Sequence, residues 1–190
     1  CHGTSSRGDN NDPDSIRAFL MVDHPSTGLS AMKAWIGVGR SEIGLLRTVN
    51  QDAFTVIDEV GVWAVADGMG GHAGGEVAAQ TAIATVQSEA AASSHLLGSS
   101  QASPTDVLTD LISRAHDAII NRARSKSKLK GMGTTIVLLA IVPGPVPVAY
   151  IVHVGDSRAY RFRSGTLTPL TKDHTLIERY LERGILTTES

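Results

Sequence analysis

The chain has 190 residues, 42% of them hydrophobic and 19% charged, with a formal net charge of −2. That length and balance suit one globular domain with a sizeable core, and the small charge advertises neither nucleic acid nor a membrane surface. A single cysteine, Cys1, excludes an intramolecular disulfide and a Cys-rich zinc site, and it fits a cytoplasmic setting.

Residues 1–31 read as a flexible N-terminal tail, because Asp9-Asn10-Asn11-Asp12-Pro13-Asp14 is polar and turn-rich and no periodicity is sustained. Ordered sequence is expected from Met32, giving one domain over residues 32–190. Residues 34–38, 53–57 and 61–66 read as strands, the last two joined in a hairpin by a turn at Asp58-Glu59. The third strand ends at Asp67, and a glycine-rich loop follows, Gly68-Met69-Gly70-Gly71-His72-Ala73-Gly74-Gly75. A helix rich in alanine is expected over residues 76–92. Residues 93–103 are loop. Ser103-Pro104-Thr105-Asp106 then carries the features of a helix start, an N-cap Ser, a Pro in the first turn and an early acid. Val107, Leu108, Leu111, Ile112, Ala115, Ile119 and Ile120 follow at helical spacing, and the helix fades into the basic run 122–130, a charge pattern that usually marks a solvated helix end. Residues 134–142 read as a strand broken by Pro143-Gly144-Pro145-Val146-Pro147; residues 148–154, 158–163 and 166–170 read as three strands joined by tight turns, an antiparallel meander, before a short helix over 175–183. No apolar run reaches membrane-spanning length, and no signal peptide is read; a lipid-modified Cys1 is the one membrane alternative. Strands, two helices and further hairpins point to an α+β layer arrangement with antiparallel sheets.

Acids recur at the ends of the strands. Asp67 closes the apolar run Val62-Trp63-Ala64-Val65-Ala66, Asp52 precedes a strand, and Asp156 follows another in Val154-Gly155-Asp156-Ser157-Arg158. Each alone could be a turn residue; together they suit an oxygen-ligand site for Mg2+ or Mn2+. His72 and His174 could add ligands or proton donors, whereas His153 reads as structural. Arg47 has a planar fork suited to a substrate phosphate. A rival reading takes Gly68-x-Gly70-x-x-Ala73, with Glu89 as the ribose acid, for a dinucleotide fingerprint. Asp67 directly before the first glycine would repel a pyrophosphate, and the flanking hairpins are not a βαβ unit.

Four segments in order resemble the metal-dependent, type 2C serine/threonine protein phosphatases of bacteria. They are Gly44-Leu45-Leu46-Arg47-Thr48-Val49-Asn50-Gln51-Asp52, Val65-Ala66-Asp67-Gly68-Met69-Gly70-Gly71-His72, Gly131-Met132-Gly133-Thr134-Thr135 and Val154-Gly155-Asp156-Ser157-Arg158, and Thr171-Lys172-Asp173-His174-Thr175 adds a fifth likeness. The resemblance implies a four-layer α-β-β-α sandwich with two mainly antiparallel sheets, here lacking the closing C-terminal strands. It implies two Mn2+ or Mg2+ ions in a cleft, with Asp67 bridging both and the Gly68 carbonyl binding one. Asp52, helped by Gln51, would hold metal-bound water, Asp156 would mark a third, weaker ion, and Arg47 would grip the phosphate.

The implied reaction is hydrolysis of phosphoserine and phosphothreonine in proteins, opposing Ser/Thr kinases, by a monomer without nucleic acid or membrane partners. Two departures from the family pattern stand out. Met69 occupies the place where some relatives carry a histidine, and the chain stops at Ser190 before two further family aspartates, so weak activity or none is expected of this polypeptide alone. The alternatives are a non-catalytic binding module with the same fold and the dinucleotide-binding oxidoreductase.

Overall fold

The computed structural model describes residues 19–21, 35–43, 48–69 and 71–175. Its centre is a hairpin whose strands alternate between two environments. Strands β3 (Asp52–Ile57) and β4 (Val62–Met69) pair antiparallel from Ile57 opposite Val62 to Asp52 opposite Asp67. The turn between them closes on Gly61, whose φ of 71° lies in the left-handed region that favours glycine. On β4, Val62, Ala64 and Ala66 face the core shared with the helices. Trp63, Val65 and Asp67 therefore face the other way.

Helix α1 (Gly71–Ser93) buries Ala78, Ala79, Ala82, Ile83, Val86 and Ala90, small residues that let it lie close to the sheet. Helix α2 (Pro104–Ser125) buries Val107, Leu108, Leu111, Ala115 and Ile119, one stripe at helical spacing. The backbone oxygen of Ser103 accepts from the Asp106 and Val107 N–H groups at its start, but the Ser103 hydroxyl bonds Thr105 Oγ1 at 2.6 Å and makes no side-chain cap. A 3-10 turn, Ser127–Leu129, leads from α2 to β5 (Gly133–Thr134), which pairs with the far end of β4. Strands β6 (Ile136–Val142) and β7 (Val148–Val154) complete an antiparallel sheet in the order β3-β4-β6-β7. Leu138, wholly buried, sits at its middle.

The face of this sheet away from the helices is met by a two-stranded ribbon, β1 (Phe19–Met21) with β2 (Ile36–Val38). The approach is close enough that a Cβ on Gly37 would fall 2.0 Å from Trp63 Nε1, and one on Gly39 2.1 Å from Phe54 Cε2. Asp58 Oδ1 fixes the contact by accepting from Gly37 N–H at 2.9 Å and Trp63 Nε1–H at 2.8 Å. Strands β8 (Tyr160–Arg163) and β9 (Thr166–Pro169) form a separate hairpin, turned by Ser164 and Gly165, both at positive φ as a primed two-residue turn requires. Fold class is thus α+β with antiparallel sheets, as expected.

Three local expectations differ. Phe19–Met21, inside the segment read as tail, pairs as β1. The glycine-rich stretch from Gly71 is the first turn and a half of α1 rather than loop, because Gly74 and Gly75 are packed and buried. The meander is broken: Gly155, at φ 102°, carries the chain off the sheet after β7, and among the described residues β8 pairs with β9 alone. The helix expected over 175–183 lies, beyond Thr175, outside the described residues.

Candidate functional site

Register brings the acids together. Asp52 and Asp67 are directly opposite in the β3–β4 ladder, so both carboxylates stand on the face away from the helices, with Cβ atoms about 5 Å apart. Asp52 is half-buried and Asp67 exposed. Asp52 is the first residue of its strand, and β4 runs two residues past Asp67. Like charges in such a pair are unfavourable by themselves. A hard cation between them would offset that repulsion.

The backbone around Asp67 is held from three sides. Its carbonyl accepts from Thr135 N–H and from Thr134 Oγ1, both at 2.8 Å, and its N–H donates to Thr135 Oγ1 at 3.1 Å. Gly68 N–H donates to the Gln51 carbonyl at 3.0 Å. A Cβ on Gly68 would lie 2.0 Å from the Gly75 carbonyl oxygen and 2.7 Å from that of Gln51, so only glycine fits where α1 presses on the strand end. The register carries the Asp52–Asp67 row on to Thr135 and Gly155. Thr135 Oγ1 also hydrogen-bonds Ser157 Oγ at 2.6 Å, tying the Asp67 strand to the loop that holds Asp156. Two strand spacings put Gly155 about 10 Å from Asp67, so exposed Asp156 borders the row rather than joining the pair.

A strap closes the far side. Arg158 grips Asp173 with two bonds, of 2.8 and 2.6 Å. The Asp173 carboxyl is held below the usual carboxylate range by Arg158, and the Arg158 guanidinium is raised by the same contact. His174 N–H donates to the Gly155 carbonyl, and its ring stacks on His153 at 4.3 Å. His153 Nδ1 is buried without a hydrogen-bond partner, and burial, then the neighbouring His174, pushes the ring below its ordinary pKa. His153 and His174 are thus packed against each other, in keeping with the structural reading of His153.

Among the described residues no group of three or more His, Cys, Asp or Glu is placed to hold a metal ion. The donors present, two carboxylates and the backbone carbonyl of Gly68, fit the chemistry of a hard divalent ion that keeps much of its water, as Mg2+ does with one or two carboxylates. Arg47 and the His72 side chain lie outside what the structure describes. The dinucleotide reading fails: the strands flanking β4 are antiparallel, and Glu89 meets Arg114 of α2 at 3.3 Å. Sequence reasoning did not find the Thr135–Ser157 link; a hydroxyl in each of two ordered segments was the available signal.

Residues 40–182 match the family model described as Protein phosphatase 2C. The chain is 37% identical over 151 residues to the serine/threonine protein phosphatase PstP of Mycobacterium tuberculosis, covering 79% of this chain and 27% of PstP. It is 33% identical to the serine/threonine phosphatase stp of Listeria welshimeri, over 79% of this chain and 59% of stp. The chain thus spans between about a quarter and three-fifths of these relatives' length. The crystal structure of PstP superposes with a TM-score of 0.64 at 34% identity, over 79% of this chain and 59% of that one. The PstP catalytic domain solved with two manganese ions gives 0.63, over 79% and 60%. The motifs, the antiparallel α+β fold and these matches agree: the chain belongs to the protein phosphatase 2C family.

Proposed function

We propose that this chain forms part of a metal-dependent phosphatase that removes phosphate from phosphoserine and phosphothreonine in proteins. The observation that carries the reading is the Asp52–Asp67 pair, two carboxylates opposed on one face of a rigid hairpin. Asp67 and the Gly68 carbonyl would hold a divalent cation, Mn2+ or Mg2+, with Asp52 beside them and Asp156 at a weaker position. A cation there would supply Lewis acidity and charge neutralisation for attack of water on phosphorus.

The chain's own residues do the rest. Thr134 and Thr135 fix the Asp67 peptide, so the carboxylate needs little reorganisation to bind. Gly68 and Gly75 let α1 back onto the strand end. Arg47 would grip the phosphate with its two-pronged donor. The substrates would be phosphorylated proteins, a Ser/Thr kinase among them, and the protein would act as a cytoplasmic monomer, a placement its cysteine usage suits. Turnover of a phosphothreonine peptide by the whole phosphatase of which this chain forms part tests this. It should vanish with a chelator and return with Mn2+; turnover indifferent to chelation would overturn the reading, and a folded, metal-binding protein without turnover would favour a non-catalytic binding module.

A further inference from the structure

Between Asp117 and Asp156 the chain carries no Asp or Glu, yet it places Arg122, Arg124, Lys126, Lys128 and Lys130 within nine residues. In a protein of net charge −2 this is a concentration of one sign. The three lysines are exposed, and none of the five forms an ion pair among the described residues. The helix dipole accounts for Arg122 and Arg124, which lie in the last turn of α2. It covers Lys126 too, the C-cap residue, but not Lys128 and Lys130, which lie beyond the helix, where the dipole effect has fallen off.

Their position gives them a use. The lysines sit on the 3-10 turn and its flanks, immediately before β5. In β5, Gly133 pairs with Met69 and Thr134 with Gly68, and Thr134 holds the Asp67 carbonyl. The three-residue step from Lys130 to Gly133 spans at most about 11 Å, and the strand pair adds about 5 Å. Lys130, the nearest of the three, therefore lies within about 20 Å of the Asp52–Asp67 site, with Lys128 and Lys126 farther back along the chain. A peptide extended at about 3.3 Å per residue from that site would reach Lys130 within about six residues of its phosphorylated side chain, and the other two lysines beyond it.

We propose that residues Lys126, Lys128 and Lys130 form a docking surface for acidic peptide, selecting phosphoprotein segments with Asp, Glu or further phosphoresidues around six positions from the target. This rests on the phosphatase reading and adds a substrate class to it. Charge complementarity at an exposed rim acts on encounter and binding rather than on chemistry. The preference therefore falls in KM and weakens with salt.

The test compares two phosphothreonine peptides, one with four acidic residues at those positions and one with glutamines, on the intact protein and on a Lys126→Gln, Lys128→Gln, Lys130→Gln variant. Binding is read by fluorescence anisotropy, which needs no turnover, and kinetics are read with p-nitrophenyl phosphate as a small control substrate. We expect about tenfold tighter binding and lower KM for the acidic peptide, lost in the variant and in high salt, with p-nitrophenyl phosphate turnover unchanged. Equal binding of the two peptides, or a preference that survives in the variant, overturns the inference. So does a variant that keeps the preference but loses binding to phosphatidylserine vesicles, which would assign the lysines to a membrane surface. Absence of turnover on every substrate by the whole phosphatase of which this chain forms part, with the binding preference intact, would overturn the phosphatase reading while leaving the docking surface standing.

Discussion

Gly68→Ala is the sharpest test of how the site is built. A Cβ at this position would lie 2.0 Å from the Gly75 carbonyl oxygen, 2.3 Å from its carbon and 2.7 Å from the Gln51 carbonyl oxygen. All three are backbone atoms, so no side chain can swing aside. Either α1 retreats from β4 or the strand end moves, and both loosen the core around Ala78, Ala79 and Ala82. Overpacking typically costs about 1–3 kcal/mol, and a clash against backbone from two elements belongs at or above the top of that range. For a chain of this size about 3 kcal/mol lowers the melting temperature by roughly 6–12 °C. The assay is thermal unfolding followed by circular dichroism, with Gly131→Ala as a control. Gly131 has positive φ, but a methyl group there would meet nothing within 4 Å, so its cost is conformational only, about 1 kcal/mol. A Gly68→Ala protein melting within about 2 °C of wild type, against the shift expected from that cost, would refute the close approach of α1 to the Asp67 strand end.

Thr135→Val keeps the shape but removes the hydroxyl that links Asp67 N–H to Ser157. It should cost about 1–2 kcal/mol in a denaturant melt and speed hydrogen exchange at the Asp67 amide, with Thr135→Ser recovering both. Asp58→Ala strands two donors, Gly37 N–H and Trp63 Nε1–H, and should cost about 1–3 kcal/mol with a red shift of tryptophan emission as the ribbon loosens. His153 titrates below its ordinary range because burial disfavours the charged ring, with His174 adding to it. The unfolded chain then binds that proton more readily, so His153 contributes its stability above about pH 6.5 and loses it as pH falls. A His153→Phe variant should show a flatter melting temperature than wild type as pH falls from about 7 to about 5; parallel curves would contradict this.

Much of this fold is legible in the residues. Val148–Val154 is bounded by a proline-glycine cluster and by Gly155, and its limits agree with the strand found. The Asp52–Asp67 pairing needs one more step, because a period-two pattern gives a face but not a partner. Counting outward from the Asp58-to-Gly61 turn supplies it. The start of α1 is hidden for a physical reason. Glycine is poor in helix interiors, so Gly74 and Gly75 read as loop, but tertiary packing against Gly68 and Met132 overrides that propensity. The broken meander is hidden likewise: Gly155 looks like a turn residue, and only its φ of 102° reveals that the chain leaves the sheet. The ties that pin the site, Thr135 to Ser157 and Arg158 to Asp173, are set by three-dimensional proximity between separate segments, which spacing along the chain does not encode.

The central claim is that Asp67, opposite Asp52, anchors a metal-dependent phosphatase site. Its most direct test is Mn2+-dependent turnover of a phosphothreonine peptide by Asp67→Asn beside wild type, both made in the whole phosphatase of which this chain forms part. Asp67 is exposed and its backbone carries the structural bonds, so the variant should keep the wild-type fold. We expect turnover to fall about 100-fold or more, because an amide cannot replace the anionic ligand. A folded Asp67→Asn protein with wild-type turnover would contradict the account.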